Sequence, residues 1–393
     1  MKANRLRAGA VTLLVAASLT AGAQETAWTP EARQRLLEGL AAPSSAVARQ
    51  RLALALEAEQ RMAVGDTTAA QAALDSLAGQ LHSPDVELAL VRNDMQAGEY
   101  RRALNSVAHA AGAHLEVSTG TALYAWLLQL GGQGAVASRT LAQALESAPH
   151  DAVLLETRSA LAAPWPLPGP LLLSAPGRFA PYAFDLDGRA SGGGPAAAAV
   201  ASATLASDGR HAYVPRQALD GAVRIQVRNG LGQTVSAVVD PSLAHPGLAL
   251  LTLGARLPTA PGQGRVTSSP YAGGPAYMVE YAPDPAALPA WPVLRPGFFG
   301  RLLLLPGDRL LGIDAPPGPR GGPVFDASGR LAGIACPGLD QRDHLVSILE
   351  LEDAANAVRG VAPAPAPEKP AALPIDGVYE AALRTALQVL VTR

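Results

Sequence analysis

Gly318-Pro319-Arg320-Gly321-Gly322-Pro323-Val324-Phe325-Asp326, running on to Gly329-Arg330-Leu331-Ala332-Gly333-Ile334, is the most distinctive pattern in the second half of this 393-residue chain. Gly321 and Gly322 permit backbone angles that residues with a Cβ avoid, so an unusual loop geometry is available here. At the centre of the loop stands Arg320. Acyl transfer would need a nucleophile whose proton a neighbouring base can take. A guanidinium is always charged, has no acceptor lone pair and cannot attack a carbonyl.

Working outward, the chain beyond Leu171 consists of short apolar runs separated by Gly, Pro, Asp and Asn, the pattern of an antiparallel barrel. Ala196–Ala206 followed by Ser207-Asp208-Gly209 reads as strand and turn. Val223–Val227, Asn229-Gly230 and Thr234–Val239 read as a hairpin, for which Asn-Gly is the strongest short signal.

These stretches resemble the trypsin-like serine peptidases of the DegP/HtrA branch. Their nucleophile loop reads Gly-Asn-Ser-Gly-Gly-Pro, followed by an apolar strand, a turn and a second strand ending in Gly-Ile. Here Arg320 stands where that family has its serine. The family also has a Ser-Asp-Gly turn, a strand reaching the catalytic His, then Asp-Gly-Ala. Ser207-Asp208-Gly209 and Asp220-Gly221-Ala222 frame the same segment with one extra residue, which puts Gln217 at the His position. The family's Asp-(Leu/Ile)-Ala-Leu-Leu is matched by Gly247-Leu248-Ala249-Leu250-Leu251, with Gly247 at the Asp position. The resemblance covers roughly Ala196–Leu351 and implies a trypsin-like double antiparallel β-barrel over residues 171–361. It also implies degenerate triad positions at Gln217, Gly247 and Arg320 and a vestigial oxyanion loop at Gly318 and Arg320.

Displaced residues offer no evident rescue. His211 precedes Gln217 by six residues, which keeps the strand face but separates them by roughly 20 Å. His245 sits in a Pro-flanked loop, and Ser268 and Ser269 precede Pro270 without a Gly-rich turn. No His, Cys, Asp or Glu grouping has metal-ligand spacing, and no Gly-rich loop joins a strand to a helix. No metal or cofactor is therefore expected. Arg320 has two readings: with the Gly318 N–H it binds a peptide carboxylate in the cleft, or it folds over a surface acid as a plug.

The first half is different. From Pro30 to about Ala162 apolar residues recur at helical spacing, with no strand-like alternation. Gly65-Asp66, Gly98-Glu99-Tyr100 and Gly132-Gln133 repeat one turn at a period of 33 to 34. Five residues on come Ala70, Ala103 and Ala137; nine on come Leu74, Val107 and Leu141; twelve on come Leu77, Ala110 and Ala144. This resembles the tetratricopeptide repeat, in which small residues let paired helices approach and neighbouring units bury a shared seam. Three units span Ala53–Asp151, with a leading helix around Pro30–Leu40, and an ordinary helical bundle is the competing fold. The resemblance places Glu59, Arg92 and Trp126 on a concave face that would hold a peptide or a partner's helix. Trp126 has core as its second reading.

Lys2, Arg5 and Arg7, the apolar run Ala8–Leu19 and Ala21-Gly22-Ala23 read as a secretory signal over residues 1–23. The apolar run is too short to span a membrane securely. With 31 basic and 33 acidic residues, no attraction to nucleic acid is implied. The single cysteine, Cys336, reads as a buried small hydrophobe. The expected organisation is multidomain α + β. A helical α-solenoid at 24–162 is followed by a Pro-rich linker at 163–170 carrying Trp165, the peptidase-like domain, and an Ala/Pro spacer at 362–374. A single amphipathic helix at 375–393 would present Tyr379, Leu383, Ala386, Leu387 and Leu390, docked either on its own β domain or on a partner. Together these features suggest a soluble, periplasmic or secreted scaffold. It would bind a protein or peptide in the helical groove, with a peptide in the peptidase-like cleft as a further possibility. The alternative is a periplasmic serine endopeptidase of the DegP/HtrA type using displaced catalytic residues.

Overall fold

A computed structural model describes residues 46–113, 118–164, 179–188, 197–262, 264–303, 308–338, 342–351 and 372–393. The signal segment, the leading helix around Pro30–Leu40 and Trp165 lie outside the described residues, as does most of both linkers. The chain forms two compact units. The first runs to Ala97 and resumes over Arg102–Trp126 and Gly134–Tyr182; the second holds Gly98–Arg101, Leu127–Gln133 and Ala183–Arg393.

Helices α1 (Ala46–Ala63), α2 (Thr67–Ala78), α3 (Pro84–Ala97), α4 (Tyr100–Ala113), α5 (Ser118–Leu130), α6 (Gly134–Ser147) and α7 (Ala152–Leu161) follow one another in order. Gly65, Gly98 and Gly132 adopt φ of 79°, 76° and 78°, so the repeated glycine marks one left-handed turn made three times. Ala70, Ala103 and Ala137 are fully buried, as close helix packing requires. Helix α1 packs on α2, α2 on α3 and α6 on α7. Asp66 and Asp151 cap α2 and α7 by accepting the N–H of Ala69 and Leu154. One register detail differs: Ala144 is half-buried and Leu145 takes the core position.

In the second unit the strands are β1 (Phe184–Asp185), β2 (Ala198–Leu205), β3 (His211–Pro215), β4 (Arg224–Asn229), β5 (Gln233–Asp240), β6 (Leu248–Leu253), β7 (Pro275–Glu280), β8 (Val293–Leu302), β9 (Asp308–Ile313), β10 (Pro323–Phe325), β11 (Leu331–Pro337), β12 (Asp343–Ser347) and β13 (Ala386–Thr392). The expected hairpin is β4–β5, with Asn229 Oδ1 accepting from Leu231 N and Gln233 N at 3.1 Å each. Six strands close one antiparallel barrel in the order β5-β4-β13-β2-β3-β6, with β5 pairing β6, and β1 joins β5 in parallel. The second barrel closes as β10-β11-β12-β9-β8-β7. This is the double antiparallel barrel expected from the resemblance. Cys336, on β11, is buried.

The chain terminus corrects the reading of 375–393 as one helix. Helix α8 covers only Ile375–Thr385, and Ala386–Thr392 enters the first barrel as β13, between β2 and β4. Its apolar residues fit a helical period because every residue of β13 is buried, so the strand shows no alternation of apolar and polar. Val389, Leu390, Val391 and Thr392 suit a strand, and Leu387, Val389 and Val391 fill the barrel core beside Val227, Val235 and Leu251. Helix α8 docks on its own unit: Val378, Tyr379, Ala382 and Leu383 are buried, and Tyr379 Oη donates to the Pro292 carbonyl at 2.7 Å.

Among the described residues no helix is long and apolar enough to cross a membrane.

Candidate functional site

Strand β3 runs beside β6 with Pro215 opposite Leu248, so the residues following β3 meet those preceding β6. Gln217 lies in the 3-10 turn Arg216–Leu219, and Arg216 N donates to the Gly247 carbonyl at 3.0 Å. Gln217 and Gly247, two of the three positions that the resemblance singles out, are thus brought to one corner of the first barrel. Gly321 brings the third segment to it. Its φ is 107°, and a Cβ there would lie 2.1 Å from the Ser202 carbonyl and 2.5 Å from Pro215 Cδ, so only glycine lets the loop abut β2 and β3. Thr204 Oγ1 donates to the Gly321 carbonyl at 2.8 Å, and Gly321 N donates to Ala335 at 2.8 Å. Between the barrels an open cleft of about 710 Å³ is lined by Gln217, Ala199, Asp284, Gly318, Pro319 and Arg393, among others.

Arg320 does not line that cleft. It is 4% exposed and turned into the second barrel. There its Nη1 donates to Glu280 Oε2 at 2.9 Å, its Nε to Asp343 Oδ1 at 3.1 Å and its Nη2 to the Pro316 carbonyl. Glu280 accepts a second arginine through Oε1, from Arg295 Nε at 2.7 Å. The four side chains form a neutral chain of two arginines and two acids at the end of β7. Burial works against the Arg320 charge, but the Glu280 and Asp343 carboxylates outweigh it and hold the guanidinium above its ordinary range. Of the two readings of Arg320, a guanidinium aimed into the cleft is not the geometry found. It covers acids instead, and the principal one, Glu280, is buried rather than on the surface.

Sequence reasoning missed Glu280, Arg295 and Asp343. An acid closing the apolar strand Pro275–Glu280 was the available signal, because a charge there must be paired when buried.

The displaced candidates are occupied with local work. His211 opens β3, at the end away from Gln217, and its Nδ1 lies 2.6 Å from Asp208 Oδ2. His245 Nδ1 accepts from Gly247 N at 3.1 Å and Leu248 N at 3.0 Å, closing its own loop. Ser269 Oγ accepts from Arg309 Nη2 at 3.2 Å. Among the described residues no group of three His, Cys, Asp or Glu is suited to a metal ion.

In the helical unit, Glu59 on α1 and Arg92 on α3 come together, with Arg92 Nη1 3.5 Å from Glu59 Oε1. Trp126 does not join them. It is 1% exposed and belongs to the core, which corrects its placement in the groove. A residue that sequence reasoning did not consider completes the cluster: Tyr182 Oη donates to Glu59 Oε2 and accepts from Arg92 Nη1 at 3.3 Å. Burial pushes the Tyr182 phenol far above its ordinary value, and the Glu59 carboxylate pushes it further, so the phenol keeps its proton as a donor. Burial also opposes the charge of Arg92, but Tyr182 and Glu59 outweigh it and raise the guanidinium above its usual range.

No family model matches the chain, and no curated protein does. Solved structures similar to it include the HtrA-type protease AlgWS227A with decapeptide and the HtrA-type protease AlgW with decapeptide. They are 17% and 18% identical, with TM-scores of 0.32 and 0.30, over 40% and 41% of this chain. This chain spans about half the length of both, 50% and 52%. An inactive form of Rv3671c from M. tuberculosis H37Rv is 15% identical, with a TM-score of 0.31, over 41% of this chain and 87% of that one.

Proposed function

We propose that this protein is an exported protein-binding scaffold. In this reading a tetratricopeptide-like helical array presents a binding groove, and the trypsin-like barrel pair is catalytically inactive. One observation carries the proposal. At the turn where a peptidase of this type holds its nucleophile, Arg320 is committed to Glu280 and Asp343 and presents nothing that can attack a carbonyl. The surroundings agree with it. Gln217 at the base position cannot accept and return a proton near neutral pH, and Gly247 has no side chain to orient a base.

The test is direct. The mature protein should remain unlabelled by a fluorophosphonate probe and should leave casein intact over hours. Covalent labelling, or robust cleavage by the unmodified chain, would show that displaced residues act as a periplasmic endopeptidase site and would overturn the proposal.

A further inference from the structure

In the helical unit three polar side chains that also link α1 to α3, Glu59, Arg92 and Gln96, converge on Tyr182. Gln96, on α3, is 2% exposed. A buried amide is costly unless its donors and acceptor are met. Its Oε1 accepts from the Tyr182 backbone N–H at 3.1 Å, and its Nε2 donates to the Tyr182 carbonyl at 3.5 Å and to Met62 O at 2.8 Å. Both main-chain polar groups of one residue are therefore held by one side chain, which reads an extended backbone whatever its side chains. One helical turn away along α3, Arg92 lies over the Tyr182 ring at 5.6 Å and, with Glu59, meets the phenol oxygen as donor and acceptor at once. A phenol satisfies both partners, whereas phenylalanine would leave the carboxylate and the guanidinium to each other. Phe179, Ala180 and Pro181 are buried ahead of it. Glu59 and Arg92 keep 25% and 15% of their side-chain surface exposed, so the phenol subsite is reachable from solvent.

We propose that this face of α1 and α3 is a receptor for an extended peptide bearing a tyrosine, and that Phe179–Tyr182 is its built-in occupant, so that a partner binds by displacing the chain's own segment. The inference rests on reading the helical unit as a binding array and adds to it the ligand chemistry and a self-occluded resting state. The recognised features are an apolar residue, a proline and a neutral, unmodified tyrosine. A phosphate or sulfate on the phenol would remove the proton that Glu59 accepts and set an anion against its carboxylate, which works against the pairing that Arg92 would offer.

The experiment uses the full chain and a fluorescein-labelled peptide Phe-Ala-Pro-Tyr-Ala-Phe, the sequence of residues 179–184. By fluorescence anisotropy, the Phe179→Ala/Tyr182→Ala variant should bind this peptide at least about tenfold more tightly than the parent, because no internal competitor remains. The same peptide with phenylalanine for tyrosine should bind that variant about tenfold more weakly, the scale of one lost hydrogen bond to a charged group. Should the double variant prove unfolded by circular dichroism, Tyr182→Phe retains the ring and should still raise affinity for the tyrosine peptide about tenfold. Folded variants that bind no better than the parent, or that fail to distinguish tyrosine from phenylalanine, would make the segment a fixed anchor and overturn the inference. That failure is separable from failure of the scaffold reading, which is decided by fluorophosphonate labelling and does not depend on peptide affinity.

Discussion

The helical unit is assembled from neighbours in the chain, and the double barrel from residues far apart. Helices α1 to α7 follow in order, their turns repeat at 33 to 34 residues, and their contacts recur at the same interval: Gln96 reaches Met62, Arg92 reaches Glu59, Ser118 reaches Asp151. The first barrel is complete only when residues 386–392 pair with 198–204 on one side and 224–229 on the other. Likewise the loop of Arg320 is held by an acid 40 residues before it and another 23 after. Damage should therefore spread differently in the two units. A change in the barrels breaks closure of a whole ring, whereas a change in the helices is absorbed by the adjacent repeat.

The hardest test of that contrast is the last strand. Removing Ala386–Arg393 leaves β2 and β4 without their common neighbour and opens the first barrel. Amide hydrogen exchange should show β2 to β6 losing protection together, while α1 to α3 retain theirs. A gentler version is Val389→Asp, which places a carboxylate in the core at a fully buried position and should cost roughly 3–5 kcal/mol in urea unfolding. Loss of protection throughout α1 to α3 in either variant would break the comparison.

The same contrast explains what could be read beforehand. The recurring turn between helices was legible because Gly65, Gly98 and Gly132 do the same local work three times, and the hairpin because Asn229 makes its turn within five residues. The loop at Gly318–Pro323 was legible as a special backbone because Gly321 must approach β2 closely, and no other residue type fits. The last strand was misread because burial on both faces erases the two-residue period that distinguishes strand from helix. For the candidate sites, the segments carrying Gln217, Gly247 and Arg320 do meet at one corner of the first barrel, yet the direction of the Arg320 side chain was open. Direction depends on Glu280, and nothing local to Arg320 announces an acid on β7. Tyr182 escaped notice for the same reason, standing 123 residues from Glu59.

The second test is intermediate in size and concerns the buried ion chain. Glu280→Ala takes the shared carboxylate from buried Arg295 and Arg320, leaving Asp343 on Arg320 alone, and should cost about 3–5 kcal/mol, read as a lower urea midpoint with little change in slope. Arg320→Ser should also destabilise the unit and should not yield proteolysis, because Gln217 and Gly247 still stand at the other two positions. Restoring all three positions is sterically open at Gly247, where an added Cβ would meet nothing closer than the His245 ring at 3.7 Å. Gln217→His, Gly247→Asp and Arg320→Ser together are expected to give a trace of casein cleavage. A Glu280→Ala protein as stable as the parent would mean the arginines find other partners, and the ion chain would lose its role in fixing the loop.

The smallest expected effect lies at the end of the helical unit and tests locality from the opposite side. Asp151 caps α7, accepting the Leu154 N–H at 3.0 Å, and also accepts the hydroxyl of Ser118 from one repeat earlier. The Ser118 hydroxyl, and after it the Leu154 N–H, hold its carboxyl below the usual aspartate value. A carboxyl depressed in the folded state adds stability above its unfolded value, near pH 4, and loses it as pH falls through the folded value. Asp151→Ala should therefore cost about 1 kcal/mol at pH 7, the worth of an N-cap, with the difference from the parent shrinking below about pH 4. Asp151→Asn keeps the capping oxygen without the charge and should retain most of the stability at both pH values. Hydrogen exchange should place the loss in α7 and the first turn of α5, leaving α1 to α3 and both barrels protected as before. A loss that spread to α1 would mean the repeats unfold as one block, and the helical unit would then resemble the barrels in cooperativity despite its local construction.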